Sequence, residues 1–415
     1  MRISRYIRAI VGRLNPHDSQ ARITALPMIH RPTKEGDKPQ TSALQRHTAV
    51  LEERSESQFA IAQFFYRSSV TDQLPWDDSK TPSQDADYDF AAPYGGSDDT
   101  AEADLIDALL KTKAFQRLKG VRFLGALDYF LVSRPNGSVK RYTRYQHSLG
   151  VASLAKAYLR LRHHTPQQRL LCVAAAMLHD VGHPPFSHTL EPVFEEAFGL
   201  NHHIATERLI AGLVPLGNEI TQVLRDFGLD PLAVLHLLDG GDQLFDGFFS
   251  GPINLDTIEG ILRARLYLGM QKLGLSPVKV MQAAASREAV ESERIVDAFW
   301  QSKHEVYSLV IRSKEGVFYD GIFQAIARGH IGALQPSDFF ATEKAIFEKV
   351  PLLRDVLDSK RVRDIAKRVL PTRIPYQFRR FYIDDKTDFK SHDDRERYRQ
   401  QRTGSSLTVR DYLRV

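Results

Sequence analysis

The segment Leu178–His188, LHDVGHPPFSH, decides how the rest of the chain is read. It closes QRLLCVAAAMLHDVG, residues 168–182, the most apolar run in the sequence and the one expected to form a central helix. Burying adjacent His179 and Asp180 there would be costly unless the pair met a partner or a cation. A metal ion resolves that cost, because neutral imidazole nitrogen and ionised carboxylate are its natural ligands. Gly182 is expected to end the helix. Pro184 and Pro185 should then force an extended turn that returns His183 and His188 towards the same spot.

A His-Asp dipeptide alone is a weak signal, and it gains weight from the segments on either side. Upstream, RYQHSLGVASLA places His147 near the beginning of a helix; downstream, PINLDTIEGIL places Asp256 near the beginning of another. Two histidines and two carboxylates make a mixed nitrogen and oxygen site. Such a set leaves open positions for water and a phosphate oxygen, as hydrolytic chemistry needs.

Four segments in this order, FQRLKGVRFLG (115–125), RYQHSLGVA (144–152), LHDVGHPPFSH and NLDTIEG (254–260), carry a resemblance. Together they resemble the dNTP triphosphohydrolase branch of the HD-domain phosphohydrolases, which includes bacterial dGTPases. The resemblance implies an α-helical, oligomeric enzyme that splits a nucleoside triphosphate into nucleoside and tripolyphosphate. It also implies that His147, His179, Asp180 and Asp256 hold a divalent metal ion, with Mg, Mn, Fe, Zn, Co and Ni all open. Arg144 matches the family's phosphate-binding arginine, and His183, His188 and His202 match active-site histidines. Glu191 stands where the family has an acid supporting the catalytic histidine. Leu124 matches a residue that packs against the sugar, and Tyr307 a later substrate tyrosine.

The chemistry fits these residue types independently of the resemblance. Attack by water at phosphorus needs charge neutralisation on the phosphoryl oxygens, which metal, Arg144 and imidazolium groups supply. A histidine backed by a carboxylate is tuned to give a proton to the leaving oxygen near neutral pH.

Departures from the family gather around the sugar and the phosphates. Phe123 replaces a glutamine that contacts the sugar. Thr257-Ile258-Glu259-Gly260 replaces a lysine, an aromatic, an acid and a tyrosine, and Ala264 replaces an acid that reads the sugar hydroxyl. The usual upstream phosphate arginine near Tyr307 is missing, and Lys303 is the nearest cation in sequence. A site lacking those groups loses its discrimination between substrates. Recognition through a second phosphate or nucleotide unit, reached by Arg263, Arg265 or the basic tail, is the expected substitute.

Composition bounds the remainder. With 415 residues, 42% hydrophobic and 26% charged, the chain can build a real core. No run approaches the ~20 apolar residues of a membrane span. The single cysteine, Cys172, excludes an internal disulfide, reads as a small core side chain and suits a reducing, cytoplasmic setting. The net charge of +5 is uneven: basic at both termini, acidic from Asp72 to Asp107. Three regions follow: 1–101, a basic then acidic extension with linkers; 102–275, the HD phosphohydrolase core; and 276–415, a helical C-terminal region with a basic tail. MRISRYIRAIVGRL and Glu53–Ser69 read as helices, and DYFLVSRPNGSVKRYTRY (128–145) as a β-hairpin around Pro-Asn-Gly. KRVRDIAKR and RERYRQQR in the tail read as solvated helix faces, with phosphate or nucleic-acid contact as the alternative.

The expected fold is mainly α: an HD-domain helical fold with a small β-hairpin and extra C-terminal helices. The expected function is metal-dependent phosphohydrolysis of a nucleotide, dNTP triphosphohydrolase-like with an altered sugar and base pocket. The alternatives are a phosphodiesterase or single-stranded nucleic-acid nuclease, and a non-catalytic nucleotide- or nucleic-acid-binding regulator. Expected partners are the nucleotide substrate, nucleic acid through the basic termini, and further copies of the chain in a homo-oligomer.

Overall fold

The computed structural model describes residues 100–130, 142–240, 244–267, 274–286 and 290–413, within one compact unit, Leu74–Val415. The expectations for residues 1–99, and for the Pro-Asn-Gly turn at 135–137, lie outside these residues.

The described residues are mainly helical. The first helices are α1 (Thr100–Lys111), α2 (Lys113–Arg117), α3 (Arg144–Leu159) and α4 (Pro166–Leu178). Next come α5 (Glu191–Phe198), α6 (His202–Ile210), α7 (Asn218–Asp226) and α8 (Pro231–Leu238). They are followed by α9 (Leu255–Tyr267), α10 (Pro277–Ala285), α11 (Val290–Val306) and α12 (Lys314–Gly329). The chain ends with α13 (Glu343–Lys349), α14 (Leu352–Asp355), α15 (Ser359–Val369), strands β1 (Arg373–Ile383) and β2 (Tyr398–Thr408), and α16 (Val409–Leu413). None of the described helices is long and apolar enough to cross a membrane.

Helix starts follow from local chemistry. Before α3, the Thr143 hydroxyl accepts from the Gln146 N–H at 3.4 Å, and the Gln146 side chain accepts from the Thr143 N–H at 3.0 Å. Thr165 and Gln168 repeat this reciprocal cap before α4, with Pro166 in the first turn. Asn201 caps α6 and Asn254 caps α9, each accepting a backbone N–H three residues on.

Helix α4 is buried from Cys172 to Leu178, and Cys172 is a free, fully buried thiol, as expected. It packs against α3, which in turn packs against α9. One core cluster contains these three helices together with α10, α11 and the end of β1; a second gathers α5, α12, α13 and α15.

One expectation is corrected. The described β structure is one antiparallel hairpin, β1–β2, in which Arg373 pairs with Thr408 and Ile383 with Tyr398. The tail segment RERYRQQR therefore enters a strand, not a helix face; its alternation of side chains across a two-stranded ribbon outweighs the charge pattern. The hairpin expected at 128–145 falls largely on 131–141, outside the described residues; on its flanks Gly125–Tyr129 form a 3-10 turn, and Arg122 and Thr143 make an isolated antiparallel bridge. KRVRDIAKR does lie in a helix, α15.

Candidate metal centre

Three helix ends converge on one point. His179 is the residue on which α4 ends, His147 lies in the first turn of α3, and Asp256 is the second residue of α9. The helix stops at Leu178, earlier than expected, and Gly182 takes no left-handed conformation. Gly182 is needed for another reason. A Cβ there would overlap the backbone N of Thr206 and lie 2.6 Å from the His202 carbonyl oxygen. Close approach of α6 is what excludes a side chain, and it brings His202 over His183, with the rings stacked at 4.4 Å.

His147, His179, Asp180 and Asp256 each offer one ligand atom, all within 4.8 Å of one another. His147 Nε2 lies 3.0 Å from Asp256 Oδ1, 3.2 Å from His179 Nε2 and 3.4 Å from Asp180 Oδ2. The outer nitrogens fix how these rings are used. His179 Nδ1 donates to the Ala176 carbonyl at 2.8 Å, and His147 Nδ1 makes a short hydrogen bond to Glu259 Oε2. With both Nδ1–H groups so engaged, both Nε2 lone pairs face the carboxylates across the centre. Lone pairs and carboxylate oxygens pointed at one another need a cation between them. The donor set therefore fits a divalent metal ion.

The electrostatics agree. Burial would lower the His179 imidazole, but Asp180 and Asp256 hold it well above its ordinary value. For His147, burial is outweighed by Glu259 together with Asp180 and Asp256, and the imidazole is raised to about 9. Burial would raise Asp180, yet His183, His179 and Arg144 keep it well below the usual carboxylate range. The centre favours positive charge.

Around this centre stand the other expected residues. Arg144 reaches Asp180 Oδ2 at 2.6 Å and donates to Ser187 Oγ at 2.9 Å. His183 Nε2 is 3.1 Å from Asp180 Oδ1, and burial beside Arg144 holds its pKa well below the ordinary value. Glu191 accepts from His188 Nδ1 at 2.8 Å and from both Nδ1 and backbone N–H of His202, at 2.5 and 2.8 Å. Its carboxyl lies far below its ordinary value, because those two histidine bonds outweigh burial. Both imidazoles thus turn Nε2 away from the carboxylate. His183, His188 and His202 together form a second group within metal-ligand spacing. Leu124 is half-buried beside Phe123, whose ring lies 4.8 Å from that of His147. Tyr307 opens a π-helical turn, Tyr307–Ile311, that continues α11, and Arg379 Nη1 lies 3.5 Å from its hydroxyl.

Sequence reading missed several supporting residues. Glu259, fully buried, holds His147 and is itself held by Arg263 Nε at 2.8 Å. Its spacing of three from Asp256 put it on the same helix face, a signal that was available. Buried Arg117 donates to the carbonyls of Val181 and His183, both at 2.8 Å. Glu343, far away in sequence, accepts from the backbone N–H groups of Arg122 at 2.7 Å and Phe186 at 3.2 Å. It also accepts from the Tyr129 hydroxyl at 2.5 Å. Phe186 and Ser187 have positive φ, 61° and 46°, so the turn between His183 and His188 is strained and depends on these anchors. Arg263 and Arg265 do not reach outward as expected: both are buried, Arg263 on Glu259 and Arg265 against Ser302.

Comparison with known proteins agrees with the motif order: residues 144–220 match the HD domain family. Chicken deoxynucleoside triphosphate triphosphohydrolase SAMHD1 is 32% identical over 136 residues, 30% of this chain and 21% of that protein. YwfO of Bacillus subtilis, uncharacterised, is 29% identical over 189 residues, 44% of this chain and 41% of YwfO. The chain thus spans less than half the length of these curated relatives. A solved phosphohydrolase from Bacteroides thetaiotaomicron has the same fold, with a TM-score of 0.54 at 12% identity, covering 73% of this chain and 94% of that one. Asp256 and Glu259 lie beyond the matched HD-domain segment, on α9.

Proposed function

We propose that this HD-domain protein is a metal-dependent phosphohydrolase of nucleotides, related in chemistry to the dNTP triphosphohydrolases but with a changed sugar pocket. The observation that carries the reading is the pair of imidazole Nε2 atoms 3.2 Å apart, faced by Asp180 and Asp256 and bordered by Arg144 and a Glu191-held histidine pair. A divalent ion held by His147, His179, Asp180 and Asp256 would supply charge neutralisation at a phosphoryl oxygen and activation of water. Arg144 neutralises a second phosphoryl oxygen. His202 or His188, with Nδ1 fixed by Glu191, presents Nε2 to the leaving oxygen and gives it a proton.

Two features support a changed pocket. A Cβ on Gly260 would lie 3.5 Å from His147 Cε1 and 3.8 Å from Asp256 Oδ1, so this position opens onto the centre and carries no side chain. Phe123, between Arg144 at 5.0 Å and His147, presents an apolar ring. Weak preference between ribose and deoxyribose follows. The exposed arginines Arg380, Arg399 and Arg402 of the hairpin favour, as a second reading, cleavage of a phosphodiester in single-stranded nucleic acid.

The test is a metal analysis of the purified chain followed by product identification on the eight common NTPs and dNTPs and on a short oligonucleotide. Asp180→Ala should lose metal and turnover while keeping its helical circular dichroism. Full metal occupancy in that variant would remove the assignment. Fast hydrolysis of a single dNTP to tripolyphosphate would refute the changed pocket, and shortened oligonucleotide would favour the second reading.

A further inference from the structure

The hairpin is built with one sign of charge. Its two strands, β1 and β2, of 11 residues each, hold five arginines and no aspartate or glutamate. Alternation sorts their side chains onto two faces. One face packs inward: Phe381 and Tyr398 both lie against Trp300, with ring centres 5.3 Å away in each case. The other face turns out. In register it carries Phe378 opposite Thr403, Arg380 opposite Gln401 and Tyr382 opposite Arg399. Phe378 and Tyr382 are in neither core cluster, and Tyr382 is 42% exposed. The Tyr382 hydroxyl donates to Gln401 Oε1 at 3.2 Å across the strands, and the Arg380 guanidinium lies 5.7 Å from the centre of the Phe378 ring. Residues 399–406 of β2 are all exposed.

Charge on an open strand edge is often only a guard against pairing with other chains. A guard needs no exposed rings, yet here a ring stands on either side of Arg380. Exposed arginines elsewhere in the chain meet acids: Arg294 meets Glu291 at 2.8 Å, Arg328 meets Glu196 at 2.8 Å and Arg361 meets Asp355 at 2.6 Å. On the hairpin Arg399 meets Asp384 at 2.9 Å. Arg380 and Arg402 have no carboxylate partner among the described residues, and Arg402 stands opposite Arg379. Phe378 and Tyr382 are separated by about 13 Å along the strand, at ~3.3 Å per residue, with the unpaired cation midway. Gln401 and Thr403 add neutral hydrogen-bonding groups beside them. Bases joined by phosphates match this order, since each base offers a flat face for a ring and each phosphate a charge for a cation. A duplex hides its base faces, so the match is to a single strand.

We infer that the outer face of the β1–β2 hairpin binds single-stranded nucleic acid, with bases stacked on Phe378 and Tyr382 and a phosphate on Arg380. None of the metal-centre residues lies on the hairpin, and binding there is independent of what that centre hydrolyses.

The experiment uses the full-length chain with a chelator present, so that no strand is cut. Fluorescence anisotropy follows a short labelled RNA strand, a DNA strand of the same sequence and the matching DNA duplex, at low and raised salt. Either single strand should bind more tightly than the duplex. Tyr382→Leu and Phe378→Leu keep an apolar side chain, and each should weaken single-strand binding by about 5- to 100-fold, the worth of one stacked base. Tyr382→Phe keeps the ring and should bind like the parent. Arg380→Gln should lower the slope of log affinity against log salt by about 0.7, the share of one phosphate on a single strand. Parental melting temperatures are expected throughout, because these side chains lie outside both core clusters. Asp180→Ala should bind the strand like the parent, so failure of the phosphohydrolase reading leaves the result untouched. No binding at low salt, duplex binding as tight as single-strand binding, or parental affinity in both leucine variants overturns the inference. Loss of binding in Asp180→Ala with the hairpin variants unaffected also overturns it, by moving the strand to the metal centre.

Discussion

Replacing Glu343 by glutamine should make the protein more resistant to rising pH. Glu343 is 3% exposed, and burial pushes its carboxyl up to about 7, an effect that the Tyr129 hydroxyl and Arg122 N–H only partly offset. From an ordinary 4.5, that corresponds to about 3 kcal/mol against the ionised form. Between the two values the folded chain binds more protons than the unfolded one. Stability attributable to Glu343 is therefore full below 4.5, falls as pH rises, and is lost above 7. Glutamine is a neutral isostere that still accepts from Arg122 and Phe186, and its amide can donate to Tyr129. Urea unfolding at pH 5, 6, 7 and 8, with both proteins in the same metal, should show the variant gaining about 2–3 kcal/mol on the parent across that range. Other titrating groups cancel in the difference. A stability difference that stays constant with pH, or that moves against the variant, would refute the reasoning.

Two glycine substitutions of the same kind should give opposite results. At Gly150 a Cβ would overlap Glu259 Oε1 and lie 2.7 Å from its Cδ. Gly150→Ala should therefore displace the carboxylate that orients His147, weakening metal binding about 10- to 100-fold by titration despite better helix propensity; unchanged affinity would dismiss that role for Glu259. At Gly260 the nearest atoms are at 3.5 Å, an ordinary contact. Gly260→Ala should keep the metal and gain up to about 1 kcal/mol of stability, and a lower melting temperature would contradict the open space. His188→Ala and His202→Ala should each lower kcat by about 10²–10⁴ with metal content unchanged. Parental turnover in both would leave the proton donor elsewhere.

Much of the site was legible because its ligands are tied to helix ends, and helix ends announce themselves locally. Thr143, Thr165 and Asn254 cap the helices that carry or precede His147, His179 and Asp256, and each works within three or four residues of chain. The apolar run before His179 marked the helix that would be buried, and its residues from Cys172 to Leu178 are buried. Glu191 and His202 are only eleven residues apart, joined by one short helix and a turn, so their pairing too is nearly local.

What the tertiary structure decided depends on partners distant in sequence. Gly150 and Gly182 look alike as helical or turn glycines, yet each is required by a different neighbour, Glu259 in one case and α6 in the other. Glu343 reaches the turn between His183 and His188 from more than 150 residues away, and Arg379 reaches Tyr307 across 72. Of the two basic tail segments expected as exposed helix faces, KRVRDIAKR lies in α15, whereas RERYRQQR runs into β2, because Tyr398–Arg402 find the backbone partners Ile383–Arg379 on β1. Periodicity and capping are properties of a few adjacent residues. Which charge is left facing which is fixed only when distant segments pack together and exclude the water that would otherwise separate them.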